Sequence, residues 1–352
     1  MKRVRAALLR WYKRNRRDLP WRRTPDPYAI WISETMLQQT RVETVIPYYE
    51  RFLERFPTVE ALSSAETEDV YGLWAGLGYY SRARNLHAAA RCIVDEWNGR
   101  LPEDADGLRS LPGVGRYTAG AVASIAFDRP EPIVDGNVAR VLSRLHGIRE
   151  DVKSKAVVDR LWEEAGRLAV GPRPGDLNQA LMELGATICT SRAPRCMACP
   201  IAIHCDANRR GDAEALPVRT PKTPPRAMEA AVAWIPRRGV VLAVRRPPGG
   251  LLGGLWELPG GEVGNGEKPA AALRRLLREG TGLEVGRARH LGCVKHGFTH
   301  RDLRLHVYRC ESPTGRVRLN GFDAHKWLSP SRFDALAKGA ATKKALGLIQ
   351  GR

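Results

Sequence analysis

Cys189, Cys196, Cys199 and Cys205 are spaced C-x6-C-x2-C-x5-C. Four thiolates this close in sequence can wrap one metal centre, either a structural zinc or an iron–sulfur cluster. The cysteines close a helical stretch rather than a zinc ribbon, which favours the cluster. Arg192, Arg195, Arg209 and Arg210 surround them, so the loop they fold reads as a structural device that sets basic side chains against phosphates. Cys92, Cys293 and Cys310 are scattered and read as packing residues. An odd total of 7 cysteines, four of them clustered, excludes a disulfide scaffold and implies a reducing compartment.

Three further stretches carry chemistry. Leu111-Pro112-Gly113-Val114-Gly115-Arg116-Tyr117-Thr118 permits a tight turn between two helices. Gly113, Val114 and Gly115 would then offer backbone N–H groups at a helix start, a cradle for phosphate. An ordinary glycine-containing helix turn is the plainer alternative. Further on, Ile133-Val134-Asp135-Gly136-Asn137-Val138 sets a lone carboxylate before a helix. Asp135 can cap that helix, worth about 1 kcal/mol, and also stand beside a developing cation. Glu34 is flanked by Ile32, Met36 and Leu37. At an apolar wall its carboxyl pKa rises; on a solvated helix face it would not.

The elements that must position these groups are legible from pattern. Asp26-Pro27 offers an N-cap and a first-turn proline for a helix to about Gln38. Further helical stretches read as 41–55, 81–97, 118–127, 137–146, 154–169 and 176–189. Residues 211–226 hold four prolines and no hydrophobic period, the composition of a semi-extended linker. Beyond it the texture changes. Residues 230–235 and 240–244 read as strands flanking a turn at 237–239, 268–280 as a helix and 303–309 as another strand. The expected organisation is an all-α domain over 1–210, the linker 211–226, and a smaller α/β domain over 227–352.

A length of 352 residues suits two domains. The formal charge of +19, with 43% hydrophobic residues, points to a folded protein that meets a polyanion. No run of 18 apolar residues exists, and no uninterrupted apolar segment follows Met1-Lys2-Arg3-Val4-Arg5. The expectation is therefore no membrane partner, no signal or transit peptide, and a cytoplasmic, nucleoid-associated protein.

The glycine hairpin (about 107–127) resembles a helix–hairpin–helix DNA-binding motif. With Asp135 18 residues past Tyr117, the order resembles the DNA glycosylases of the endonuclease III superfamily across roughly residues 1–210. In the endonuclease III type a nucleophilic lysine follows the hairpin; Tyr117 stands there instead, so strand-cleaving Schiff-base chemistry is not expected. Ser33-Glu34-Thr35-Met36-Leu37-Gln38-Gln39-Thr40, Leu19-Pro20-Trp21-Arg22, Gly76-Leu77-Gly78-Tyr79-Tyr80-Ser81-Arg82 and Asn178-Gln179-Ala180-Leu181-Met182-Glu183-Leu184-Gly185 resemble the adenine-specific MutY type. Gly261-x5-Glu267-x7-Arg275 through Leu283 has the outline of a Nudix box. Leu276 and Gly280 stand where two of its acids belong, leaving Glu267 and Glu279. Two are too few to hold the magnesium of diphosphate hydrolysis, so the Nudix-like fold is expected without that activity.

The resemblance implies a helix–hairpin–helix glycosylase domain with one 4Fe–4S cluster on the four cysteines and a C-terminal Nudix-like domain. Its substrate would be duplex DNA carrying adenine opposite 8-oxoguanine or guanine, and the protein would be monomeric. Glu34 and Asp135 would be catalytic, with Tyr117 and Asn137 orienting Asp135. Gln179, Glu183, Trp21 and Arg22 would bind adenine. Gly113, Val114 and Gly115 would grip DNA, with Leu37, Gln39 and Tyr79 as wedges. Phe298, Thr299 and His300, within His296-Gly297-Phe298-Thr299-His300, would sense 8-oxoguanine, with Thr299 where the family has serine. Competing readings are a pyrimidine glycosylase with lyase activity, disfavoured by Tyr117; a silent lesion-binding protein, disfavoured by Glu34 with Asp135; and a Nudix pyrophosphatase, disfavoured by the missing acids.

Overall fold

A computed structural model of the chain describes residues 1–220, 224–250, 252–298 and 300–351. They form two compact units: Met1–Ala65 with Asn85–Lys222, and Glu66–Arg84 with Thr223–Arg352. In chain order the helices are α1 (Lys2–Asn15), α2 (Pro27–Leu37), α3 (Val42–Arg55), α4 (Val59–Ser63), α5 (Thr67–Trp74), α6 (Ser81–Trp97), α7 (Ala105–Ser110), α8 (Arg116–Phe127), α9 (Gly136–His146), α10 (Lys155–Ala169), α11 (Pro174–Thr187) and α12 (Asp206–Arg210).

Local chemistry sets the boundaries of the helices that matter. Asp26 caps α2 by accepting from the N–H groups of Tyr28 and Ala29, and Pro27 takes the first helical position. Every residue of α2 from Tyr28 to Met36 is buried, so Glu34 is carried into the interior by its apolar neighbours. Asp135 caps α9, and Gly147 ends it in a left-handed conformation. The core of this unit joins α1, α9, α10 and α11 through Leu8, Tyr12, Val141, Leu142, Leu161 and Leu181; Cys189, Cys199 and Cys205 pack on its edge. Each fully buried leucine contributes about 2 kcal/mol of apolar transfer. The stretch from residue 211 is less free than its prolines imply. Leu216 is buried, and the Val218 carbonyl accepts from Val152 N–H.

The second unit holds β1 (Arg226–Trp234), β2 (Pro236–Arg237), β3 (Val240–Arg245), β4 (Trp256–Glu257), β5 (Gly260–Glu262), β6 (Ala288–Gly297), β7 (Arg301–Cys310) and β8 (Ala324–Leu328). Its later helices are α13 (Pro269–Thr281), α14 (Pro330–Ala335) and α15 (Ala340–Ile349). One sheet runs β5-β1-β7-β6, with β1 and β7 parallel from Arg226↔Arg301 to Trp234↔Arg309. The other joins β2, β3 and β4, with β8 paired to β3. The turn at 237–239 therefore connects β2 to β3, while β1 belongs to the opposite sheet. Leu273 and Leu277 of α13 pack with Ala231 and Ala233 of β1 in a shared core.

Candidate active site

A cleft of about 620 Å³ in the helical unit gathers most of the candidate residues. Trp21, Arg22, Glu34, Leu37 and Gln39 line it from the α2 side; Gly113, Gly115 and Tyr117 line it from the hairpin. Asp135 and Asn137 come from the start of α9, and Gln179 and Glu183 from α11.

Glu34 is 5% exposed. Its Oε2 accepts from the Tyr117 hydroxyl at 2.9 Å, and the same hydroxyl lies 3.2 Å from Met182 Sδ, so Tyr117 engages Glu34 rather than Asp135, which it was expected to orient. Burial raises the Glu34 carboxyl to about 7, with the Asp135 charge adding to the rise and Tyr117 and Arg22 opposing it. Burial raises the Tyr117 hydroxyl well above its ordinary range as well, so it stays a donor.

Asp135 is held by three donors. Oδ1 accepts from the N–H of Asn137 at 3.0 Å and of Val138 at 2.7 Å, and Oδ2 from Asn137 Nδ2 at 3.0 Å. Burial pushes its carboxyl up and these donors push it down; the net shift is upward. Every one of those partners can only donate to a carboxylate, so the ionised form is the one the cap satisfies. Arg140 fixes the Asn137 amide by donating from Nη2 to its Oδ1 at 2.7 Å, while Arg140 Nε donates to the Cys189 carbonyl at 2.7 Å.

Across the cleft, Gln179 Oε1 accepts from the Tyr12 hydroxyl at 2.9 Å. Glu183 is 1% exposed and accepts from Arg17 N, Nε and Nη2 and from Arg22 Nη2. Burial alone would raise its pKa, but Arg17 and Arg22 together reverse that and lower it. Trp21 stacks edge-on against Tyr49 at 5.5 Å. The sequence pattern did not single out Arg17, Arg140, Met182 or Gln38, whose Nε2 donates to Thr118 Oγ1 at 3.1 Å. Gln38 lies inside the Ser33–Thr40 stretch and Met182 inside the Asn178–Gly185 stretch; Arg17 and Arg140 carry no local signal.

At the hairpin, Gly113 takes φ 76°, and a Cβ there would lie 2.5 Å from Asn85 Cβ. Only glycine fits both constraints. Gly115 is the N-cap of α8 with no side-chain cap, so the first-turn amides of α8 lack protein partners in the helix. Val114 is 8% exposed and its N–H donates to the Leu111 carbonyl, so its side chain packs inward. Gln39 has φ 57° and is exposed.

The remaining candidates lie elsewhere. The four cysteines are free thiols lining one small cavity with Arg144 and Arg195. Arg144 Nη1 donates to Cys189 Sγ at 3.3 Å, and Cys205 Sγ donates to the Arg144 carbonyl at 3.3 Å. Tyr79 belongs to the second unit, is 48% exposed, and has φ 47° beneath the Arg82 guanidinium. Phe298 and His300 flank the β6–β7 turn; Thr299 lies outside the described residues. Because β6 extends to Gly297 and β7 begins at Arg301, His296 and Gly297 are strand residues. Phe298 packs edge-on against His296 at 4.7 Å and joins the unit's core. Of the Nudix-box acids, both Glu267 and Glu279 are ion-paired to Arg275, at 2.7 and 3.1 Å. Two carboxylates sharing one guanidinium are poorly disposed to hold magnesium.

Residues 32–167 match the HhH-GPD superfamily of base excision DNA repair proteins, and residues 230–348 match the NUDIX domain. The human adenine DNA glycosylase is 39% identical over 99% of this chain and 74% of its own length. The chain belongs to the adenine DNA glycosylase family. The rat member is 39% identical over 98% of the chain and 78% of its own length. Among solved structures, a thermostable thymine-DNA glycosylase superposes with TM-score 0.55 and 32% identity over 59% of this chain and 96% of its own. Endonuclease III trapped as a covalent intermediate on DNA gives 0.50 and 25% over 60% and 96%. As an adenine DNA glycosylase family member the chain is a base-excision repair DNA glycosylase with a helical glycosylase domain followed by a Nudix-like one.

Proposed function

We propose that the protein removes adenine opposite 8-oxoguanine or guanine from duplex DNA, hydrolysing the N-glycosidic bond without cutting the strand. The observation that carries this reading is one cleft holding a carboxyl poised near neutrality, Glu34, and a capped carboxylate, Asp135. Adenine leaves the stack to reach such a pocket. Glu34, protonated, donates to N7, so the C1′–N9 electron pair can leave with the base. Asp135 faces the cationic sugar that remains, as in two-carboxylate glycoside hydrolysis. Water then adds to C1′, and Glu34, now ionised, accepts its proton. Tyr117 holds the Glu34 carboxyl by its hydroxyl, and Asn137 holds Asp135. Tyr12 engages the oxygen of the Gln179 amide, which leaves the NH2 end to donate to a purine nitrogen. Glu183 and Trp21 form the wall, and Glu183 anchors Arg22 there. Gly113 and Gly115 approach phosphates, Leu37, Gln39 and Tyr79 fill the vacated stack, and Phe298 to His300 meet the opposite base.

Cys189, Cys196, Cys199 and Cys205 fit a 4Fe–4S cluster: four free thiols on one cavity, with a guanidinium already donating to a sulfur. The cluster would supply the folding free energy of the 189–205 loop. Metal analysis of anaerobically purified protein should give four irons per chain; stoichiometric zinc would refute that assignment.

Single-turnover assays on duplexes with A opposite 8-oxoguanine, G, C or T test the whole reading. Excision should be fastest opposite 8-oxoguanine, and borohydride should trap no efficient covalent adduct, since Tyr117 occupies the amine's place. Excision of a pyrimidine lesion with strand cleavage would overturn it.

A further inference from the structure

Apart from the cleft and the cysteine loop, β6 and β7 gather three ligand-bearing side chains on one spot. The donor atoms of His290, Cys293 and His306 all lie within 4.8 Å of one another. Plain strand alternation forbids this grouping, because residues 290 and 293, three apart, should point to opposite faces. A β-bulge reverses the phase. His290 pairs with Tyr308, Gly292 with Val307 and Cys293 with His306, so one extra residue lies between the first two pairs. Gly292, at φ 150°, carries the irregularity, and a Cβ there would lie 3.1 Å from Leu348.

We propose that His290, Cys293 and His306 bind a zinc-class divalent cation that clasps β6 to β7. Cys293 Sγ lies 3.2 Å from His306 Nδ1 and 3.6 Å from His290 Nε2. Tetrahedral zinc, with bonds of about 2.3 Å to sulfur and about 2.0 Å to nitrogen, separates S and N by about 3.5 Å. The two sulfur–nitrogen spacings therefore need adjustments of only tenths of an ångström. A thiolate with two imidazoles selects zinc over magnesium or calcium. His306 also has the outer partner that ligating histidines use. Its buried Nε2 makes no hydrogen bond and faces Glu229 Oε2 on β1 at 3.7 Å. A proton on Nε2, aimed at that carboxylate, leaves the Nδ1 lone pair pointing at Cys293. On binding, the Cys293 thiol gives its proton to solvent as the S–metal bond forms. His290 and Cys293 are exposed, so the fourth position is open to water.

Zinc titration of the full-length protein, with iron per chain measured in the same samples, tests the site. One zinc should bind per chain, at least 100-fold more weakly in Cys293→Ser and in His306→Gln, and about tenfold more weakly in Glu229→Gln. Iron content should be equal in all four proteins. Zinc should also slow iodoacetamide alkylation of Cys293, read by peptide mass, at least tenfold. Unchanged zinc affinity in Cys293→Ser would overturn the proposal, because the metal would then be held by other residues; so would alkylation of Cys293 at one rate with and without zinc.

Discussion

Held near a pKa of about 7 by burial, the Glu34 carboxyl changes charge in the range where the enzyme must work. A general acid is needed protonated, so the single-turnover rate should fall as pH rises through about 7, approaching tenfold per unit. Glu34→Gln should abolish excision while leaving duplex affinity largely intact, since phosphate contacts supply most binding. The same shift has a stability consequence. The folded-state pKa lies above the ordinary 4.5, so the native state holds the proton more tightly. Stability associated with this group is present at low pH and lost as pH rises toward 7. Glu34→Gln should therefore gain on the parent by about 2–3 kcal/mol between pH 5 and 8. Urea melts at both pH values measure this; a difference independent of pH would mean that burial does not raise the group. The apolar neighbours of Glu34 and the cap at Asp135 are written in adjacent residues, and so were readable. Arg17 and Arg140 were not. In a chain of net charge +19 an arginine reads as surface, yet these two reach Glu183 and Asn137 through tertiary pairing that leaves no local pattern.

At the scale of elements, the hairpin separates two jobs of glycine. Gly113 needs its positive φ and lies against Asn85, whereas a Cβ on Gly115 meets nothing within 4 Å. Gly113→Ala should cost roughly 1–3 kcal/mol of stability from left-handed strain plus collision. Gly115→Ala should cost well under 1 kcal/mol. If the first-turn amides of α8 grip a phosphate, Gly115→Ala should still weaken binding to undamaged duplex, evenly across sequences, as read by anisotropy. Unaltered affinity would remove the hairpin from the DNA interface. Of the helices flanking this hairpin, α8 was legible from its apolar run at 118–127, whereas α7, at six residues, is too short to show a period. Helix α1 was not, although Val4, Leu8 and Tyr12 form its buried stripe: arginines and lysines between them mask the period. In the second unit β1, β3 and β7 were readable and the short β2, β4 and β5 were not, while the partition of β1 and β3 into different sheets follows from long-range pairing with β7 and β8.

The largest scale is where sequence order and structure diverge most. Residues 66–84 precede the hairpin in the chain yet fold with the C-terminal unit: Arg245 pairs with Glu68 at 3.0 Å, and the Tyr80 hydroxyl donates to the Lys338 carbonyl at 3.1 Å. No composition boundary marks that segment. The division of labour between units makes a prediction that folding defects cannot imitate. Phe298 is partly buried in its unit's core and stacked on His296, so Phe298→Ala will cost stability whatever else it does. A loss of folded protein lowers the active fraction equally for every substrate, and so cancels in a ratio of rates. If the β6–β7 turn meets the base opposite adenine, Phe298→Ala should slow adenine removal opposite 8-oxoguanine far more than opposite guanine. Lost aromatic packing at the lesion is worth roughly 1–2 kcal/mol, a change of about five- to thirtyfold in that ratio. Single-turnover rates normalised to titrated active sites measure it directly. Equal slowing on both duplexes would confine Phe298 to the core and leave lesion reading to other residues.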